Sequence, residues 1–179
     1  YNETLNWMFN KLPMYQRIGA AAYKADLNTT IEILKHLNNP QDNFKSVHIA
    51  GTNGKGSVSH SLASVFQAAG YKTALYTSPH LRDFRERIRI NGNMIPENDV
   101  VSFIEQHKQK LEELELSFFE MTVAMAFDYF SKEKSQAADI VIFGSYGPTY
   151  KLKYYYELPY LDKAIFYGDS YNYAKDELK

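Results

Sequence analysis

Gly51-Thr52-Asn53-Gly54-Lys55-Gly56-Ser57 is the stretch of the chain whose residue types most plainly suit chemistry. Gly51, Gly54 and Gly56 permit positive φ and a close approach of ligand to backbone. Lys55 supplies a cation on a long stem and Ser57 a hydroxyl. Such a mixture can hold a polyphosphate, with backbone N–H groups converging on it, the lysine reaching its β and γ groups and the hydroxyl meeting Mg2+. The spacing departs from the general P-loop pattern, because Ile49 stands at its first glycine and Gly56 separates lysine from serine. A glycine-rich turn with an exposed lysine fits the same residues. The flanking elements therefore carry the decision.

Upstream, Ser46-Val47-His48-Ile49-Ala50 reads as a buried strand. Ser57 to Ala69 reads as a helix closed by Gly70 as C-cap, and Lys72 to Thr77 as a second apolar strand. Strand, glycine loop, helix and strand make a β-α-β unit with a parallel sheet, in which the helix N-terminus adds its positive dipole end to the loop. Further helices are expected at 27–37, 97–114 and 118–131. The first has Asn28 or Thr29 as N-cap and stops before Asn39-Pro40; the last buries Ala124, Phe127 and Phe130. Residues 138–143 read as a core strand, Gly144, Gly147 and Pro148 as a loop, the stretch through Leu158 as a helix and Lys163 to Tyr167 as a strand. The expected fold class is α/β, a mostly parallel sheet flanked by helices and carrying a P-loop.

A length of 179 residues suits one ordinary domain. The net charge is −1, with 20 basic and 21 acidic residues, so no broad cationic face is available for nucleic acid or anionic lipid. The absence of cysteine excludes a disulfide scaffold and a thiol nucleophile. Tyr1 to Leu12 lacks the pattern of a signal peptide, and no apolar run approaches the roughly 20 residues needed to span a bilayer. A cytoplasmic monomer is the expectation.

The longer run from His48 to Ser57 resembles the ATP-binding loop of the folylpolyglutamate synthase and dihydrofolate synthase family, within the Mur ligase superfamily. Tyr76-Thr77-Ser78-Pro79-His80-Leu81, then Glu86-Arg87-Ile88-Arg89 with Asn91-Gly92, are similar to the next signatures in order, and Phe119-Glu120 with Thr122 to a fourth. Upstream, Tyr15 to Gly19 and Ala22-Tyr23-Lys24-Ala25-Asp26-Leu27 resemble the bacterial bifunctional form. The likeness covers roughly residues 1 to 140.

The resemblance implies a Mur-ligase central domain and a ligase using ATP and Mg2+ to add L-glutamate to dihydropteroate, to a reduced folate, or to both, through an acyl phosphate. It implies Gly51 to Ser57 as the nucleotide loop, Lys55 and Glu120 as catalytic, Ser57 and Ser78 as metal-binding, and Tyr23, His80, Arg82, Phe118 and Phe119 as substrate-binding. Several of these residues fit plainer roles as well. Ser78 suits a turn before Pro79. His80 can satisfy a loop carbonyl. Arg82, Arg87 and Arg89 can steer an anionic tail or phosphates, while Arg87-Ile88-Arg89 also suits an exposed strand face; Phe118 and Phe119 suit a core; Glu120 suits a helix start.

Past Asp139 the pattern breaks. The family's glycine-rich segment with its metal-binding glutamate, and its later histidine and carbamylated lysine, have no counterpart in Ile142-Phe143-Gly144-Ser145-Tyr146-Gly147-Pro148. Most of the chain's 15 tyrosines lie at or beyond Tyr146. Residues 1–140 are therefore read as the N-terminal part of an ATP-binding ligase domain that is incomplete. Residues 141–179 are read as a tyrosine-rich tail with a faint likeness to the family's C-terminal glutamate-binding domain.

Overall fold

The computed structural model describes residues 1–11, 27–51, 53–132, 139–144 and 163–167. In chain order these form α1 (Asn2–Lys11), α2 (Asn28–His36), a 3-10 turn (Pro40–Asn43), β1 (Lys45–Gly51), α3 (Lys55–Ala68), β2 (Thr73–Thr77), a second 3-10 turn (Phe84–Arg87), β3 (Ile88–Ile90), β4 (Asn93–Met94), α4 (Glu97–Glu113), α5 (Phe118–Lys132), β5 (Ile140–Gly144) and β6 (Lys163–Tyr167). The expected helix through Leu158, the loop at Gly147-Pro148, most of the tyrosine-rich stretch and the motifs from Tyr15 to Asp26 lie outside the described residues. Among those described, no helix is long and apolar enough to cross a membrane. The chain packs as two compact units, residues 1–41 with 96–132, and residues 42–95 with 133–179.

The second unit is the sheet, in the order β4-β3-β2-β5-β1-β6. β2, β5, β1 and β6 run parallel. Alternation puts Ile49, Leu75 and Ile142 on one face, where they close with Ala63 of α3 into a core flanked by Val58, Leu62 and Phe66. His48 points to the opposite face, in register with residue 143 of β5. β3 and β4 are antiparallel, so the sheet is mixed. Their hairpin turns at Asn91-Gly92, with φ of 48° and 79°, the positive pair that makes a two-residue turn follow the strand twist. Asn91 also accepts from Thr73 N through Oδ1 at 2.9 Å and donates its own N–H to Thr73 O at 2.9 Å. The turn is thereby tied to the start of β2.

The other unit is helical. α1 buries Met8, α4 buries Val100, Phe103, Ile104 and Leu111 at helical spacing, and α5 is buried around most of its circumference. In α2, residue Leu27 precedes the helix without any side-chain cap, which corrects the expected cap at Asn28 or Thr29. Thr29 instead spends its hydroxyl on Glu120. In α2, α3 and α4 the chain leaves the helix through a residue of positive φ, namely Asn38, Gly70 and Glu115. At each, paired bonds such as Tyr71 N to Phe66 O and Gly70 N to Gln67 O satisfy the last carbonyls. At α3 the rings of Phe66 and Tyr71 close the motif edge to face at 5.9 Å.

Glu120 is a capping-box carboxylate. Its Oε2 accepts from Ser117 N at 2.8 Å while Ser117 Oγ accepts from Glu120 N at 3.2 Å. Its Oε1 accepts from Thr29 at 2.5 Å and Thr30 at 3.2 Å. Glu120→Gln is expected to destabilise the protein by about 1 kcal/mol through the lost cap bond, read as a shift in urea midpoint. Unchanged nucleotide affinity should accompany that loss; weakened affinity at full stability would instead place Glu120 in ligand chemistry.

Candidate functional site

β1 ends at Gly51 and α3 begins at Lys55. Between them Gly54 sits at φ 77°, ψ −4°, a left-handed position that glycine takes without strain. The first N–H groups of α3 have no partner within their own helix and carry its positive dipole end. Lys55 is the first helical residue, only 7% exposed, and burial lowers its ammonium pKa. Its carbonyl accepts from the fully buried Ser59 hydroxyl at 2.7 Å, which pins the first turn.

The facing wall follows β2. After Thr77 the Ser78–Pro79 peptide is cis, and Ser78 Oγ accepts from Arg87 NH1 at 2.7 Å. Arg87 Nε donates to His80 Nδ1 at 2.8 Å. Burial first, and the Arg87 charge second, lower the His80 pKa. Burial also lowers the Arg87 pKa, opposed by a hydrogen bond with Tyr76. Glu86 gathers the backbone N–H groups of Leu81 at 2.8 Å, Arg82 at 3.1 Å and Asp83 at 3.0 Å. These bonds, Leu81's foremost, hold its carboxyl below the ordinary value. They leave Leu81 standing 90% exposed.

The two walls enclose a cleft of about 430 Å³, with Asn53, Gly54, Lys55, Gly56 and His60 on the α3 side, and Thr77, Ser78, Pro79, Leu81, Glu86 and Arg89 on the other. Two fixed cations, Lys55 and Arg89, face one carboxylate, Glu86, whose oxygens are already engaged by amides. A mouth of this charge suits an anion.

The structure thus brings Asn53, Gly54, Lys55 and Gly56 together with Ser78 in one cleft. Gly51 closes β1 behind them, while Thr52 and Tyr23 lie outside the described residues. Ser57 is exposed on the first turn of α3 and does not line the cleft. His80 stands behind the rim on Arg87, and Arg82 is exposed with its backbone on Glu86. Phe118, Phe119 and Glu120 belong to the helical unit. There Phe118 is buried and stacked on Phe9 at 5.4 Å and 24°, and Phe119 is 39% exposed.

Arg87 corrects the exposed-strand reading of Arg87-Ile88-Arg89: it closes a 3-10 turn and is only 4% exposed. A turn precedes the strand, so the two-residue alternation does not extend back to it. The parts played by His60 and Glu86 were not assigned from the sequence; of the arginines read as able to steer an anion, Arg89 lines the cleft and Arg87 is buried behind its rim. The spacing of Asp83 and Glu86, which form a capping box, was the available signal for the rim.

Gly56 gives a prediction of mixed sign. A Cβ built there meets nothing within 4 Å, yet the residue lines the cleft. Gly56→Ala is expected to stabilise the fold by about 0.5–1 kcal/mol, while weakening the binding of any phosphate ligand that occupies the cleft beside it. Thermal unfolding and titration calorimetry on one preparation test both halves; unchanged affinity would move the phosphate away from Gly56.

A buried lysine opening a helix that follows a strand of a mostly parallel sheet, with Gly54 left-handed between them, makes an α/β unit suited to phosphate. No family model matches the chain. It is 31% identical over 149 residues to the dihydrofolate synthase/folylpolyglutamate synthase of Bacillus subtilis, covering 80% of this chain and 33% of that protein. Its fold is similar to folylpolyglutamate synthase of Thermotoga maritima, with a TM-score of 0.69 and 37% identity over 82% of this chain and 33% of that one. It is also similar to an E. coli relative solved with DHPP and ADP, with a TM-score of 0.67 and 28% identity over 84% of this chain and 34% of that one. The chain belongs to the folylpolyglutamate synthase/dihydrofolate synthase family of the Mur ligase superfamily. It spans between 16% and 33% of the length of the first curated relatives it matches.

Proposed function

We propose that the chain carries the nucleotide-binding part of an ATP-dependent ligase that joins L-glutamate to dihydropteroate, to a reduced folate, or to both. The observation that carries this reading is the single cleft shared by Lys55, its glycine loop and Ser78. The ADP and DHPP bound to the E. coli relative support the two ligand classes.

In the proposed reaction a carboxylate oxygen of the pterin substrate attacks the γ-phosphorus of ATP and ADP leaves. The glutamate amine then attacks the acyl carbon of the resulting acyl phosphate, gives up a proton and expels phosphate. Lys55 and the N-terminal amides of α3 would hold the phosphates and stabilise the charge that passes to ADP. Arg89, on the facing wall, would attract the anionic acceptor.

The described residues do not form a protein-built Mg2+ cage. Both Glu86 oxygens are engaged by amides, Ser78 Oγ already accepts from Arg87, and no group of three candidate ligands occurs among the described residues. Mg2+ takes near-octahedral oxygen shells completed by phosphate and water; here Ser78 would supply one oxygen. The assignment of Phe118 and Phe119 to the pterin rests on the family resemblance; of the two, Phe119 is 39% exposed and Phe118 is buried.

Phosphate release from ATP with dihydropteroate or tetrahydrofolate, with and without L-glutamate, tests the reading. Release that depends on both acceptors and is lost in Lys55→Met is expected. Release indifferent to glutamate and pterin would sink it. Because the chain spans a third or less of its first curated relatives, a second reading is a nucleotide-binding segment without turnover. ATP binding that depends on Lys55, with no release, would select that one.

A further inference from the structure

Away from the cleft, in the helical unit, two histidines far apart in sequence meet edge to face. His36 ends α2 and His107 lies within α4. His36 Nε2 stands 3.2 Å from His107 Nδ1, with ring centroids 5.3 Å apart and planes at 90°. Nothing in the proposed ligase chemistry uses them.

We propose that His36 and His107 form a two-imidazole site for a borderline transition cation such as Zn2+, Ni2+ or Cu2+, clasping the end of α2 to α4. Two imidazole nitrogens at about 2.0–2.1 Å from one metal ion lie roughly 2.9–3.4 Å apart for angles between square and tetrahedral. The observed 3.2 Å falls in that window. The same distance also fits an N–H···N hydrogen bond between the two rings.

The surroundings favour the cation. His107 is oriented by Phe103, 5.0 Å away between centroids, and its Nε2 is buried without a partner, so Nδ1 is the nitrogen it offers outward. His36 is exposed at the C-terminal, electronegative end of its helix. Of the charged groups facing the pair, Asp128 attracts a cation and Lys132 is held by Asp128 at 2.6 Å; Lys35, beside His36 in sequence, opposes it. Two neutral nitrogens with water completing the shell select borderline metals over Mg2+ or Ca2+.

Titration of the full chain with Ni2+ at pH 7.5 is expected to show one site, absent with Mg2+, weakened at least about tenfold in His36→Ala, whose side chain is exposed and not needed for folding, and likewise in His107→Ala. With one equivalent of Cu2+, pulsed electron paramagnetic resonance should detect two equatorial imidazoles, falling to one in His36→Ala. Affinity unaltered by His36→Ala, or one imidazole in the unaltered protein, would overturn the site and leave the contact a plain hydrogen bond. Neither readout involves the cleft, so failure of the ligase reading leaves this result intact.

Discussion

Lys55→Met is expected to weaken ATP binding by roughly 30-fold to several thousandfold, the ~2–5 kcal/mol that follows when one partner of a desolvated charge pair is removed. The size of the effect comes from burial. An exposed lysine facing phosphate is screened by water, whereas this one is 7% exposed at the head of a helix. Without a bound anion that burial opposes folding. The ammonium pKa is lowered by desolvation, so the unfolded chain binds the proton more tightly and the charged lysine subtracts stability at neutral pH. Methionine keeps the length and apolar stem and removes the charge. The variant should therefore unfold at an equal or higher urea concentration while its calorimetric affinity collapses. Parallel loss of both would indicate general damage; intact affinity would remove Lys55 from the site.

Acid sensitivity of the sheet is the second large effect. His48, buried on β1, has its pKa lowered by burial to about 4 from 6.5. With the folded value below the unfolded one, the unfolded chain takes up the proton first as pH falls. The stability contributed by the neutral ring is complete above pH 6.5, declines below it and is exhausted near pH 4. Between pH 7 and pH 5 this one group should remove about 2 kcal/mol. His48→Val, a β-branched residue suited to a parallel strand, should flatten that segment of a plot of urea-unfolding free energy against pH. An equally steep slope in the variant would mean that His48 is not the group responsible.

His48 also shows where sequence reading stops. Its place in an apolar run reveals a strand, but not which way the ring points or how dry its surroundings are. The same holds across the molecule. Strand β1, helix α3 and strand β2 were legible because apolar spacing and glycine punctuation are local. The helices at 97–113 and 118–132 were legible because their periodicity is long. The antiparallel hairpin was not foreseen, although Asn91-Gly92 carries its turn chemistry. The cap of α2 was misassigned because Thr29 has a tertiary partner, Glu120, 91 residues away. At the cleft, the glycine loop could be read from its residue types. Of its second wall, Ser78 was reached only through the family resemblance, while Glu86 and Arg87 act through a turn whose contacts no residue alternation encodes.

Arg87 fixes the direction of every bond it makes to the rim. A guanidinium has hydrogens to give and no lone pair to receive one, so Ser78 Oγ and His80 Nδ1 must both be recipients. The Ser78 hydrogen is then released to point elsewhere, and the neutral His80 ring must carry its proton on Nε2. Proton positions at two side chains are thus dictated by a third that cannot reverse its role. Ser78, which also lines the cleft, therefore keeps one lone pair and its own hydrogen for whatever enters there.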